Sequence, residues 1–150
     1  MIAVLQRVTG ASVVVEGSVV GECRKGLMIL LGVAEGDTEK DADVLATKIS
    51  KLRIFEDENA KMNLSVTDIG GEALVVSNFT LLANYSHGNR PEFLQAAKPG
   101  VAQPLYQYFC ERLETSVKHV GRGVFGADMA VTIMGDGPVT IVMDSRVLIK

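Results

Sequence analysis

Apolar residues come in short β-branched bursts at both ends of the chain, and at helical spacing in two stretches between them. Residues 2–8 and 12–15 are rich in Val and Ile and predict strands; Glu16-Gly17-Ser18 is a turn that leads into a strand over 19–23. Lys25-Gly26 is a second turn, ahead of an apolar run over 27–33. Strands joined by turns this short predict antiparallel neighbours rather than crossover units. Strand character returns over 73–82. It appears again over 129–134 and 139–143, which read as a strand pair around Gly135-Asp136-Gly137-Pro138.

Two helices are marked. Asp37 or Thr38 can cap the first, and Thr38-x-x-Asp41 has the form of a capping box. Leu45, Ile49 and Leu52 then make one apolar stripe. The second is expected over 103–117, with Leu105, Tyr106, Phe109, Leu113 and Val117 on one face and Cys110 at its margin. Asp57-Glu58-Asn59 reads as a turn, and 83–91 as a polar loop holding Asn84, His87, Gly88, Asn89 and Arg90. The predicted class is α+β: a mostly antiparallel sheet curled into a barrel-like core, with two main helices against it.

The chain has 150 residues, 47% hydrophobic and 22% charged, which excludes disorder and suits one domain over 1–150. No apolar run reaches the ~18 residues of a membrane span, and the first residues lack the basic leader and long apolar stretch of a signal peptide. A soluble, cytoplasmic protein without membrane contact is expected. The net charge of −3 gives no general basic field for nucleic acid. Cys23 and Cys110 have no CxxC spacing and read as small buried hydrophobes in a reducing compartment. His87 and His119 have no metal-ligand pattern around them, so neither a metal nor another cofactor is expected.

Common catalytic motifs are missing: there is no P-loop, GxGxxG, GxSxG or HExxH. Three features are odd for their positions. Ser77-Asn78-Phe79-Thr80-Leu81 brings hydrogen-bonding side chains to the end of a buried strand, where a pocket lip often forms. Ser77 or Thr80 could be a nucleophile with His87 as base, or the hydroxyls could simply bond neighbouring backbone. Gly135-Asp136-Gly137-Pro138 reads locally as a hairpin turn with an ordinary trans bond, although Pro138 removes a donor where a strand begins. Arg7 interrupts an apolar strand, either as a buried anchor for backbone carbonyls or as an edge residue in water.

Taken in order, these stretches resemble the D-aminoacyl-tRNA deacylases. The resemblance starts with residues 1–8 and continues in Lys61-Met62-Asn63-Leu64, Ser77-Asn78-Phe79-Thr80-Leu81 and Asn89-Arg90-Pro91. It ends with Gly123-Val124-Phe125-Gly126-Ala127-Asp128-Met129 and Gly137-Pro138-Val139-Thr140, and so covers essentially the whole chain. It implies hydrolysis of the ester joining a D-amino acid to the 3′-terminal adenosine of tRNA, by a homodimer. It also implies a cis Gly137–Pro138 bond, held by Arg7, whose main-chain carbonyls reach the partner's site and crowd out L side chains. Glycyl-tRNA, with no side chain to exclude, becomes an expected second substrate. The resemblance assigns oxyanion donors to the Phe79 and Thr80 region and pocket shaping to Ser77 and Asn78; Phe125 and Met129 could pack near the adenosine or simply belong to the core. Water is then activated by the ribose 2′-hydroxyl rather than by a protein base.

The chain departs from the family pattern at Asn78, where Gln is usual, and at Gly135, where Asn is usual. Three other readings compete. One is a relative that removes misplaced L-alanine; another is an esterase built on Ser77 or Thr80 with His87. The third is a dimeric interaction module without activity.

Overall fold

The computed structural model describes residues 1–149. Its organising element is β1 (Ile2–Val15), which runs unbroken where the sequence suggested two strands. No turn interrupts it because partners hold both of its edges. On one edge its first half pairs with β3 (Gly26–Gly32) and its second half with β2 (Ser18–Cys23), both antiparallel. Along the other edge lies β8 (Ala130–Asp144), also antiparallel.

The predicted strand pair over 129–143 is therefore not a hairpin. Both segments belong to β8 and pair with β1, not with each other. Gln6 faces Thr140 and Val8 faces Gly135, so Arg7 alone stands opposite a four-residue excursion, Asp136 to Val139. A turn-like sequence has become an outward bulge because β1 supplies one continuous template.

Beyond β3 the sheet turns parallel: β6 (Glu72–Ser77) pairs with β3, and β7 (Val120–Arg122) with β6. β3 and β6 are buried on both faces, which explains their continuous apolar runs. Leu27, Ile29, Leu31, Ala73 and Val75 point into the larger core, while Met28, Leu74 and Val76 join Val8, Val13 and Cys23 in a smaller one. The far strand β7 curls back against β2. A Cβ on Gly21 would lie 2.1 Å from the Arg122 carbonyl oxygen, and one on Gly121 2.4 Å from that of Glu22. Only glycine permits this approach, and His119 Nε2 meets the Glu22 carbonyl oxygen at 2.8 Å across it. The α+β expectation holds, with a mixed sheet nearly closed into a barrel.

Helix α1 (Glu39–Lys51) and helix α2 (Pro99–Glu114) cover the larger core. Thr38 caps α1 in the expected box, its N–H donating to the Asp41 carboxylate at 2.9 Å. α2 starts four residues before its predicted position because Pro99 occupies its first turn, where a missing N–H costs nothing. A small hairpin, β4 (Phe55–Glu56) with β5 (Met62–Leu64), follows α1, and α3 (Ser145–Leu148) follows β8. Among the described residues no helix is long and apolar enough to cross a membrane.

Candidate active site

Strand β6 does not continue to residue 82 as predicted. It ends at Ser77, the Asn78 N–H donates to the Leu31 carbonyl at 2.8 Å, and Phe79–Leu82 winds into a 3-10 turn. Asn78 causes the break. Its side-chain oxygen caps the turn, accepting the Thr80 N–H at 3.2 Å and the Thr80 hydroxyl as well. Gly32 leaves room for it, since a Cβ there would lie 2.6 Å from Leu82 and 3.1 Å from the Asn78 carbonyl oxygen.

The turn forms one wall of a cleft of about 700 Å³. Ser77, Asn78 and Phe79 line it. Phe79 is 58% exposed, and its ring meets that of Phe93 edge to face, with centroids 5.1 Å apart. The opposite wall is the β7–β8 connection, from Phe125 to Met129. Phe125 leans on buried Tyr106, whose hydroxyl donates to the Val75 carbonyl at 2.8 Å; the Gly123 N–H reaches that carbonyl too, at 3.1 Å. A Cβ on Gly123 would lie 2.7 Å from the Met129 sulfur, so glycine lets Met129 fold back over the connection. Burial pushes the Tyr106 hydroxyl far above its ordinary pKa and the neighbouring Cys110 thiol up to about 12, so both stay neutral.

Ser77, Asn78, Phe79, Phe125 and Met129 thus converge on one cleft, with Thr80 on the adjoining turn. His87 does not join them. It lies on an exposed loop closed by the Asn84–Glu92 bridge, and the Thr80 hydroxyl is occupied by Asn78. Among the described residues no hydrogen bond links His87 to Ser77 or Thr80, so the side-chain esterase arrangement is not assembled. Nor do the described residues gather three or more metal-ligating side chains.

Gly137 and Pro138 are exposed on β8 and do not line their own chain's cleft. Their peptide bond is cis, against the ordinary bond that local sequence suggested. Gly137 has φ +141°, and a Cβ there would meet the Val139 nitrogen at 2.6 Å. Arg7 resolves as a buried anchor. Its Nε donates to the Asp136 carbonyl at 3.1 Å and lies 3.2 Å from that residue's carboxylate, while Nη1 donates to the Ile54 carbonyl at 2.8 Å.

Sequence reasoning missed Phe93 and the supporting role of Tyr106. Phe93 follows the polar loop with no periodicity to flag it, and Tyr106 read as one more core residue of α2. Asp128 stands within a family motif with no role assigned to it, yet it is the one ionisable residue lining the cleft among the described residues.

The D-Tyr-tRNA(Tyr) deacylase family model matches residues 4–144. Proteins named D-aminoacyl-tRNA deacylase are similar along their whole length. The one from Sulfurihydrogenibium sp. (strain YO3AOP1) is 60% identical, and the one from Persephonella marina 58%; each match covers 99% of this chain and all of the relative. A solved structure of the c-Myc DNA Unwinding Element Binding Protein superimposes with a TM-score of 0.91 at 41% identity, covering 96% of this chain and 98% of that one. A second, titled as a probable eukaryotic D-amino acid tRNA deacylase, shares the fold at a TM-score of 0.82 and 16% identity, covering 95% and 97%. A mixed sheet nearly closed on itself, with an apolar cleft where β6 breaks, defines the class. The chain belongs to the D-Tyr-tRNA(Tyr) deacylase family.

Proposed function

We propose that this chain, acting as one domain in a cytoplasmic homodimer, hydrolyses D-aminoacyl-tRNA to the free D-amino acid and tRNA. The cleft takes the terminal adenosine and its amino acid, with the base against Phe125 and Met129 and the ester near the Phe79–Leu82 turn. Main-chain carbonyls of the partner subunit's Gly137 and Pro138 close the site and crowd the side of the α-carbon where an L side chain would project. Glycyl esters, with nothing to exclude, are hydrolysed as well.

The observation that carries this reading is the position of the turn. Arg7 fixes Gly137 and Pro138 on an exposed strand, apart from the cleft of their own chain. Among the described residues β8 pairs only with β1, and it presents Met134 and Val142 to solvent, an apolar edge suited to a second copy.

In the reaction, water attacks the ester carbonyl and a tetrahedral oxyanion forms. It collapses by expelling the ribose 3′-oxygen, which takes a proton, while the amino acid leaves as carboxylate. The Phe79 N–H is the oxyanion donor that the Asn78 cap leaves outside its reach. Thr80 is a positioning residue, and Ser77 and Asn78 shape the pocket. The ribose 2′-hydroxyl relays the proton. This accords with a Thr80 hydroxyl already engaged by Asn78 and a His87 held elsewhere.

The test is hydrolysis of matched D- and L-tyrosyl-tRNA, each also prepared with a terminal 2′-deoxyadenosine. Loss of the D ester alone, slowed about a hundredfold or more by the 2′-deoxy change, is expected. Equal cleavage of both enantiomers would break the filter, and an unchanged 2′-deoxy rate would return the chemistry to Thr80 and Ser77. Faster cleavage of L-alanyl-tRNA than of D-tyrosyl-tRNA would favour the L-alanine relative.

A further inference from the structure

Asp128 is an exposed acidic residue among the lining of an otherwise uncharged, largely apolar cleft, on the connection that includes Phe125 to Met129. Among the described residues it makes no ion pair or side-chain hydrogen bond, and no cation of its own chain lines the cleft to neutralise it. Facing a polyanionic substrate, such a group repels phosphates within a Debye length of about 10 Å at 0.1 M salt. Covering it with a ligand would leave a desolvated charge unless the ligand brings a donor. A carboxylate is acceptor-only, so that donor must be an N–H or O–H of the substrate.

An aminoacyl-adenosine offers three: the α-ammonium, the ribose 2′-hydroxyl and the 6-amino group of the base. In the proposed function, on which this inference rests, the first sits on the α-carbon, at the end of the cleft that the partner subunit closes, and the second serves the water. The third remains, on the base that the proposed function sets against Phe125 and Met129, next to Asp128 in the chain. Phe125 and Met129 receive the face of the base; Asp128, on the same connection, stands at the edge of that platform. A carboxylate there accepts from an amino group and repels the carbonyl oxygen that hypoxanthine or guanine presents at the same position.

We propose that Asp128 is a specificity residue that reads the 6-amino group of the substrate's terminal adenine.

The test is a double-mutant cycle between the protein and the terminal base. D-Tyrosyl esters of a short CCA-ending RNA are prepared with terminal adenosine or terminal purine riboside, which lacks only the 6-amino group. Each is assayed with the unaltered protein, Asp128→Ala and Asp128→Asn. With the unaltered protein, kcat/KM falls about tenfold when the amino group is removed. Asp128→Ala loses a similar factor on the adenosine substrate, and removing the amino group then costs it nothing further; Asp128→Asn, whose side-chain oxygen still accepts, keeps its sensitivity to the amino group. Asp128 is exposed, and unchanged melting temperatures are expected to show that the variants fold.

Additive losses in the cycle with Asp128→Ala, or Asp128→Ala as active as the unaltered protein on adenosine, overturn the assignment. So does a variant defect that disappears on an α-hydroxy acyl ester instead, because the carboxylate would then serve the ammonium. No turnover of the adenosine ester by the unaltered protein overturns the deacylase reading itself, and this inference with it.

Discussion

Arg7 grips Asp136 twice, through the main-chain oxygen at 3.1 Å and the carboxylate at 3.2 Å, and so pins the start of the excursion that carries Gly137 and Pro138. Its other end donates to the Ile54 carbonyl in the segment after α1. One guanidinium thereby ties the bulge of an outer strand to the body of the molecule.

The two contacts differ in weight. Asp136 is more than a third exposed, so water and salt weaken its ion pair. The Ile54 carbonyl is buried with the guanidinium, and losing that donor is the larger loss. Arg7→Ala is expected to lower stability by about 2 kcal/mol, against less than about 1 kcal/mol for Asp136→Asn. Urea midpoints check the stability, and D-to-L rate ratios check the turn. Both substitutions should narrow the ratio, because both loosen its anchor.

Asn78 caps the 3-10 turn with its side chain and takes up the Thr80 N–H. Gln, one methylene longer, is a poor cap, so Asn78→Gln is expected to cost about 1 kcal/mol of stability. It also releases an amide next to the proposed oxyanion site, and turnover of a D-aminoacyl ester is expected to rise several-fold. A melting curve and a single-turnover rate on the same preparation separate the two effects.

Burial alone would raise the Asp41 carboxyl. A hydrogen bond from Ser145 at 2.6 Å, hydrogen bonds from Thr38 and the charge of the Met1 ammonium outweigh burial and hold it below the usual carboxylate range. A carboxyl lowered by folding stabilises the protein above its unfolded value of about 4, and that stability is lost as pH falls through the folded value. Asp57, Asp68 and Asp144 are lowered as well and carry the same sign. Unfolding free energy should therefore fall with acidification below about pH 4, and Asp41→Asn should flatten that dependence. Urea titrations at pH 6 and at pH 3 test this.

Both cysteines lie in the core. Burial, aided by the charge of Glu72, raises the Cys23 thiol to about 11; burial raises Cys110 to about 12. At pH 8 the reactive thiolate is scarce and shielded. The native protein is expected to react with a thiol reagent far more slowly than the urea-unfolded chain, which should titrate two thiols. Its catalytic rate should be unaffected over the same interval.

Where a segment's own residues settle its conformation, its structure was legible in the sequence. The Thr38–Asp41 box, the Leu45–Ile49 stripe and the Glu16–Gly17 turn all depend on neighbours a few positions away. The doubly buried strands β3 and β6 announced themselves as unbroken apolar runs. The resemblance named Ser77, Asn78 and Phe79 where β6 ends and Phe125 and Met129 on the β7–β8 connection, but not Phe93.

What needed the tertiary structure was every feature set by a distant partner. Gly135-Asp136-Gly137-Pro138 has hairpin chemistry, and only β1 running alongside makes it a bulge in one strand instead. The end of β6 at Ser77 depends on the bond from Asn78 to Leu31 and on the space left by Gly32. Arg7 could be read either way until Asp136 and Ile54 came within reach of its five donors. Sequence by itself determined the local conformations and the family to which the chain belongs. Pairing register, the burial of Arg7 and the walls of the cleft were decided in three dimensions, because a hydrogen bond or a contact across many residues exists only once both sides are in place.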